Sequence, residues 1–316
     1  MLQYLIVLLD KASVSFCHYD APKDICKDEG TLMPLDTLRK GIVFAMKENL
    51  NIQFVYPERP LPPEYNEVVE SIDHTKIKPE SQADEADVIV LTKWGAQVAA
   101  EGATCIIRTS RKELREHIDR VKDILGKAAR LNIVLADVES FDDKDIREYA
   151  DILEELSDAI LEEWKRSHSV QLNLLTDRMQ LREMNNCGAG DMSITLAPNG
   201  KFYLCPAFYY DDEKQSVGDL STGLDIKNRQ LLRLDHAPIC RHCDAYQCKR
   251  CVWINSKLTL DINTPSHQQC VMAHVERNTS CALMHRLNAE SIRLQVSNNI
   301  PEIDYLDPFI NYKQWK

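Results

Sequence analysis

Four cysteines, Cys240, Cys243, Cys248 and Cys251, stand within the twelve residues CRHCDAYQCKRC, and Cys187, Cys205, Cys270 and Cys281 flank them. Thiolates are soft ligands, so a set this dense points to iron–sulfur clusters or to zinc rather than to packing alone. Eight of the chain's eleven cysteines lie beyond residue 180. His242, inside the run, reads as a hydrogen-bond donor beside the site rather than as a ligand. Compartment bears on the choice of chemistry. The opening MLQYLIVLLDKASVSF lacks a basic start and a small-residue cleavage site, and reads as a buried strand. No later apolar run reaches the ~20 residues of a membrane span. A cytoplasmic protein with no membrane partner is therefore expected, and a reducing compartment favours metal ligation over disulfides. The net charge of −11, with no Lys/Arg cluster, argues against nucleic acid as a partner.

The elements that must position these thiols come in two kinds. To about residue 180 short β-branched runs alternate with longer amphipathic stretches in this chain of 316 residues. Candidate strands are LQYLIVLL, NIQFVY, DVIVL, TCIIRT, NIVLAD and VQLNLL. Candidate helices are PLDTLRKGIVFAMKENL, PPEYNEVVESI, KWGAQVAAEG, RKELREHIDRVKDILGKAARL and the acidic DKDIREYADILEELSDAILEEWKR, which reads as a solvated surface helix. Helical crossovers between parallel strands give about six βα units, as a partial barrel or an open wound sheet. No glycine-rich phosphate loop follows any strand. Beyond residue 180 turn signals dominate. SITLAPNGKFYLC predicts a β-hairpin turning at Pro198, Asn199 and Gly200. Thr264 and Pro265 predict a helix start with Cys270 about two turns inside, and the tail EIDYLDPFINYKQWK has no period. The expected division is 1–180 and 181–316.

The segment CGAGDMSITLAPNGKFYLCP, followed by SVGDLSTG, the dense cysteine run and Cys270, resembles the SPASM domain, the auxiliary iron–sulfur domain of radical SAM enzymes that modify peptides. The resemblance covers roughly residues 185–275. It departs from the family in the last two gaps of the dense run, DAYQ and KR, each one residue shorter than usual. Carried over residue by residue, it implies two clusters of 4Fe-4S type. Cys187, Cys205 and Cys251 would hold one, with an iron left open or filled by Cys281. Cys240, Cys243, Cys248 and Cys270 would hold the other. Zinc is the competing reading of the same thiols.

Residues 1–180 are similar to a radical SAM βα barrel in which the cofactor motifs have degenerated. The loop after the first strand, SVSFCHYDAPKDIC, has eight residues between Cys17 and Cys26 and no third cysteine, so CxxxCxxC is absent. The family's GGEP has become YPERPL, keeping Glu58 and Pro60. These losses count against S-adenosylmethionine as a cofactor. The opening YLIVLLDKASVSFCHYDAP most resembles the CXXX repeat peptide maturases. The resemblance thus implies a partial (βα)6 barrel followed by a small cysteine-rich domain, and maturation of a ribosomally made cysteine-rich peptide. An electron donor or companion enzyme would be a further partner. The alternative is a pseudoenzyme or zinc-stabilised scaffold that binds peptide beside a competent enzyme. Cys17 reads as packed rather than reactive, and Cys105 as strand core.

Overall fold

A computed structural model of the chain describes residues 2–20, 31–91, 94, 101–184 and 187–292. Cys26, the candidate helix KWGAQVAAEG for all but its end and Trp94, and the tail from residue 302 lie outside the described residues. In chain order the elements are β1 (Tyr4–Leu8), α1 (Leu35–Glu48), β2 (Asn51–Val55), α2 (Pro63–Val69), β3 (His74–Pro79), β4 (Val88–Leu91) and β5 (Thr104–Thr109). There follow α3 (Arg111–Glu116), α4 (Ile118–Leu125), β6 (Arg130–Leu135), α5 (Asp143–Lys165), β7 (Gln171–Leu172), α6 (Asp177–Gln180), β8 (Ser193–Leu196) and β9 (Phe202–Tyr203). The last are α7 (Pro206–Asp211), β10 (Gly218–Asp219), β11 (Gly223–Leu224), α8 (Val252–Leu258) and α9 (His267–Ala289). The alternation of strands and helices is the expected α/β class.

Two compact units divide these elements, and each draws on two stretches of chain: Met1–Thr92 with Cys187–Arg233, and Lys93–Asn186 with Leu234–Lys316. In the first unit the strands run β4-β3-β2-β1-β8-β9, parallel except for the antiparallel β8–β9 pair. Leu5, Val7 and Leu8 of β1 are almost wholly buried, as a strand flanked on both sides in a parallel sheet requires. Helix α1 covers this sheet with Leu38, Ile42 and Ala45, one face of a 3.6-residue repeat, against Ile194, Leu196 and Phe202. Gly41 lets the helix approach, since a Cβ there would stand 2.4 Å from a Leu196 methyl. The predicted hairpin is present as β8–β9, closed by Ala197 N–H to Lys201 O (one direction of the pair, 3.0 Å) and by Gly200 at φ +77°. Strand β3, HTKIKP, escaped the sequence reading because only Ile77 and Pro79 of it face inward.

In the second unit the strands run β7-β6-β5, all parallel. The candidate RKELREHIDRVKDILGKAARL is two helices, α3 and α4, broken at His117. Helix α5 is the surface helix expected, acidic on one face and apolar on the other. Its apolar face, including Tyr149, Leu153, Leu156 and Ile160, is buried, and its acidic face is partnered by Arg111, Arg115 and Lys122 of α3 and α4. The start of α9 also differs from expectation. Its N-cap is Ser266, whose Oγ accepts from Gln269 N–H at 3.3 Å while Gln269 Oε1 accepts from Ser266 N–H at 2.9 Å. This capping box fixes the helix start two residues later than Thr264, whose hydroxyl instead donates to Asp261 at 2.6 Å. Cys270 therefore sits in the first turn and a half of α9.

The segment SVGDLSTG forms the β10–β11 turn, and Val217 N–H donates to Phe202 O at 2.7 Å, tying it to the hairpin. Asp219 accepts from Ser221 N–H, Thr222 N–H and the Ser221 hydroxyl, which together hold its carboxyl well below the usual range. Gly218 has φ +122°, and a Cβ there would lie 2.0 Å from the Gly223 carbonyl oxygen. Gly218→Ala is expected to lower unfolding stability by about 2 kcal/mol or more in denaturant titration. A change within about 0.5 kcal/mol would show that the turn is not packed as described.

Candidate metal centre

In the second unit Cys240, Cys243 and Cys270 each act electrostatically on Cys248. Cys240 opens a turn of 3-10 helix, Cys243 follows it, Cys248 ends the next loop, and Cys270 enters from α9. Cys240 is 5% exposed, in an apolar setting of Met184, Leu234 and Ala237 with Cys243 and Cys248 beside it. Burial, and then the nearby Cys243 sulfur, push the Cys240 thiol up to about 11. Enclosure of the Cys248 sulfur likewise holds its thiol well above the ordinary range, and Cys240, Cys243 and Cys270 each add to that. Thiols held protonated in this way are ones that a soft cation would bind by displacing protons.

Two of the sulfurs already accept backbone hydrogen bonds. Ala245 N–H donates to Cys243 Sγ at 3.5 Å and Arg250 N–H to Cys248 Sγ at 3.4 Å, each amide two residues beyond its cysteine. Such donors lower the charge on a ligating thiolate and tune the group it holds. Cys243 Sγ also lies 3.6 Å from His274 Nε2, one helical turn beyond Cys270 on α9. His242, expected beside the site, is exposed at the end of its turn, so the imidazole at the thiols belongs to His274 instead. Among the described residues no three His, Cys, Asp or Glu side chains stand at the spacing a single metal ion needs. For zinc that spacing is about 3.8 Å between sulfurs, from Zn–S bonds of about 2.3 Å and tetrahedral angles.

The other predicted ligands fall elsewhere. Cys251 caps the N-terminus of α8 in the second unit. Cys187, exposed and left-handed at φ 52°, and Cys205, before α7, belong to the first unit. Cys281 is on α9, eleven residues beyond Cys270, about 16 Å along the helix axis.

Residues that sequence reasoning missed hold the thiol loop in place. Asp244, 1% exposed, accepts from Arg277 Nε at 2.9 Å and Nη2 at 2.6 Å, and from Arg178 Nη2 at 3.3 Å. Arg178, fully buried on α6, also donates from Nε to the Asp244 carbonyl at 3.0 Å. Gln247 fastens the other end of the loop, donating to Ala273 O at 2.6 Å and to Glu276 at 3.3 Å. Glu276 in turn accepts from the Tyr149 hydroxyl of α5 at 2.8 Å. No local pattern marks these partners, which lie 33 and 66 residues from Asp244.

In the first unit a buried ion pair stands at the ends of β1 and β2. Asp10, fully buried after β1, accepts from Arg59 Nη2 at 2.6 Å and from the Thr31 hydroxyl at 2.9 Å. Arg59, the residue after the retained Glu58, was not singled out from sequence; Glu58 itself turns outward to Ser81 at 3.0 Å. Half-buried Cys17 stands near Tyr19 and Tyr210, whose rings stack at 4.8 Å and whose hydroxyls burial holds protonated. Cys105 is fully buried in β5, and burial raises its thiol to about 11.

No family model matches the chain, and no curated protein matches it. Solved structures do. Native anSMEcpe with bound AdoMet and the Cp18Cys peptide aligns at a TM-score of 0.59 and 11% identity, covering 92% of this chain and 100% of that one. Hexahistidine-tagged anSMEcpe with bound AdoMet gives 0.57 and 14%, with the same coverages of 92% and 100%. Native anSMEcpe with AdoMet and the Kp18Cys peptide gives 0.53 and 13%, over 90% and 99%. At these identities the likeness carries the fold, which is the α/β fold expected from sequence. Among the described residues no helix is long and apolar enough to cross a membrane.

Two outcomes check this geometry. Asp244→Ala leaves two guanidiniums facing a vacated site and is expected to cost about 3–5 kcal/mol in equilibrium unfolding. A loss below about 1 kcal/mol would place the group at the solvent surface. Glu276 is held protonated up to about 7 by burial, against an ordinary value of 4.5. Its folded value is raised, so its contribution is fully present below pH 4.5 and lost as pH rises through 7, about 3 kcal/mol in all. Glu276→Gln should flatten the stability profile between those limits. An unchanged slope would show that the carboxyl ionises freely.

Proposed function

We propose that this chain works in the maturation of a ribosomally made, cysteine-rich peptide, and that the thiol nest of its second unit holds an iron–sulfur cluster. The observation that carries the reading is the convergence of Cys240, Cys243, Cys248 and Cys270, with two of the sulfurs accepting backbone N–H groups. It occurs on a fold shared with anSMEcpe, which was solved with AdoMet and a peptide. The residues fit such a group in their chemistry: the donors are soft thiols, Cys240 is buried and the other three are half-buried.

Cys240, Cys243, Cys248 and Cys270 are the ligands in this reading. Ala245 and Arg250 steady two of them through their amides, and Asp244 and Gln247 keep the loop against α9. When bound, the cluster supplies one-electron transfer or a site for a soft substrate thiolate. The other predicted set, Cys187, Cys205 and Cys251, draws members from both units. The division at about residue 180, the kinship with CXXX repeat maturases and the cytoplasmic setting are parts of the same reading.

A second reading has its own support. With only Cys17 and Cys26 in the loop after β1, CxxxCxxC is missing, which favours a chain that binds peptide or passes electrons beside a competent enzyme. Iron, sulfide and zinc assays on anaerobically isolated protein test the cluster. Bound iron and sulfide in equal amounts are expected, with Cys248→Ser lowering both. Near-stoichiometric zinc without sulfide would replace the cluster by a zinc-stabilised scaffold. Formation of 5′-deoxyadenosine by the purified protein would exclude the second reading.

A further inference from the structure

Cys243 carries two nitrogens at hydrogen-bonding distance from its sulfur, and one of them belongs to a side chain. Ala245 N–H donates to Cys243 Sγ at 3.5 Å, and His274 Nε2 stands 3.6 Å from the same atom. Sulfur is larger than oxygen, so both are ordinary lengths for such a bond. His274 is buried, at 6% exposure, and an imidazole drawn so far from water needs a polar partner. It follows Cys270 by four residues on α9, so the two side chains project from the same side of the helix. The meeting with Cys243 is held from both directions along α9. Asp244, next to Cys243, accepts from Arg277 Nη2 at 2.6 Å, three residues beyond the imidazole. Gln247 donates to the carbonyl of Ala273, the residue before it, at 2.6 Å. The loop is thus fastened to α9 through residues on either side of His274.

We propose that His274 is a positioning residue that donates from Nε2 to the Cys243 sulfur, fixes the orientation of that ligand and raises the reduction potential of the group held by Cys240, Cys243, Cys248 and Cys270. The inference rests on the iron–sulfur reading above. A thiolate that ligates metal has no proton to give, so the bond at 3.6 Å runs from the imidazole N–H to the sulfur. One-electron reduction places more negative charge on the sulfurs. A donor aimed at one of them bonds more strongly as that charge grows, so the reduced form gains more than the oxidised one. A neutral imidazole suffices, because the effect comes from an N–H dipole at a fixed distance. The Ala245 donor is main chain, which leaves His274 as the donor that a substitution removes.

The test is a dithionite redox titration, followed by EPR, of the full chain reconstituted anaerobically with iron and sulfide. His274→Leu fills similar space without a donor. It is expected to leave iron per chain unchanged and to shift the oxidised-to-reduced ratio at a fixed potential about tenfold towards oxidised, which for a one-electron couple is a midpoint about 59 mV lower. His274→Gln restores an N–H donor on a side chain of similar reach and should return most of that shift. In the parent chain with isotopically labelled histidine nitrogen, pulsed EPR of the reduced form should show the weak nitrogen coupling of a hydrogen-bonded imidazole, a measurement that needs no variant to fold. An unchanged midpoint in His274→Leu, equal falls in His274→Leu and His274→Gln, or no nitrogen coupling in the parent would overturn the proposal while the iron and sulfide content upheld the cluster. The strong coupling of a directly bound nitrogen, or loss of iron from folded His274→Leu, would make His274 a ligand and overturn it as well. Absence of iron and sulfide from the parent chain would overturn both readings.

Discussion

Asp244 lies between Cys243 and Cys248, and its carboxylate is gripped by Arg178 from α6 and Arg277 from α9. The arrangement of the thiol nest depends on that grip. A carboxylate at 1% exposure is tolerable only with several charge-assisted hydrogen bonds, and Arg277 supplies them from two nitrogens. Arg178 adds a bond to the backbone carbonyl, so it fixes the path of the chain as well as the side chain. With the loop set against α9 in this way, Cys243 comes within 3.6 Å of His274 and Cys248 within electrostatic range of Cys270. Gln247 repeats the attachment one turn away on the same helix.

Helix α9 is thus the common support. Its capping box at Ser266 and Gln269 sets where Cys270 falls, and a 3.6-residue repeat then places His274 and Arg277 along the same side. Buried Glu276, bonded to Tyr149 and Gln247, ties that helix to α5 and to the thiol loop together. Two polar groups thus lie behind the nest, Asp244 with Arg178 and Arg277, and Glu276 with Tyr149 and Gln247, while the buried Arg178 Nη1 and Gln247 Oε1 atoms make no hydrogen bond among the described residues.

The first unit shows a different economy of polar groups. The ends of β1 and β2, the edge at which parallel α/β sheets commonly present ligand-binding loops, carry Asp10, Arg59 and Thr31 bonded to one another. Tyr19 and Tyr210 stack beside Cys17, and Tyr209 packs against Tyr210 at 4.9 Å. These residues give the described ends of β1 and β2 a packed, internally bonded character.

Sequence by itself determined the strands with continuous apolar runs, β1, β2, β4, β5 and β6, and the hairpin at Pro198–Gly200, because periodicity and turn chemistry are local properties. It also determined the dense thiol run, whose short spacing makes the members neighbours in any fold. It was silent on β3, whose HTKIKP carries few apolar residues, and it placed the start of α9 too early because the Ser266 box competes with Thr264 and Pro265. Tertiary structure alone decided that His274 rather than His242 lies at a sulfur, and that Asp244 is held by two distant arginines. Those outcomes depend on the register of one loop against one helix. That register is set by hydrogen bonds and ion pairs between residues far apart in the chain, which leave no periodic trace along it.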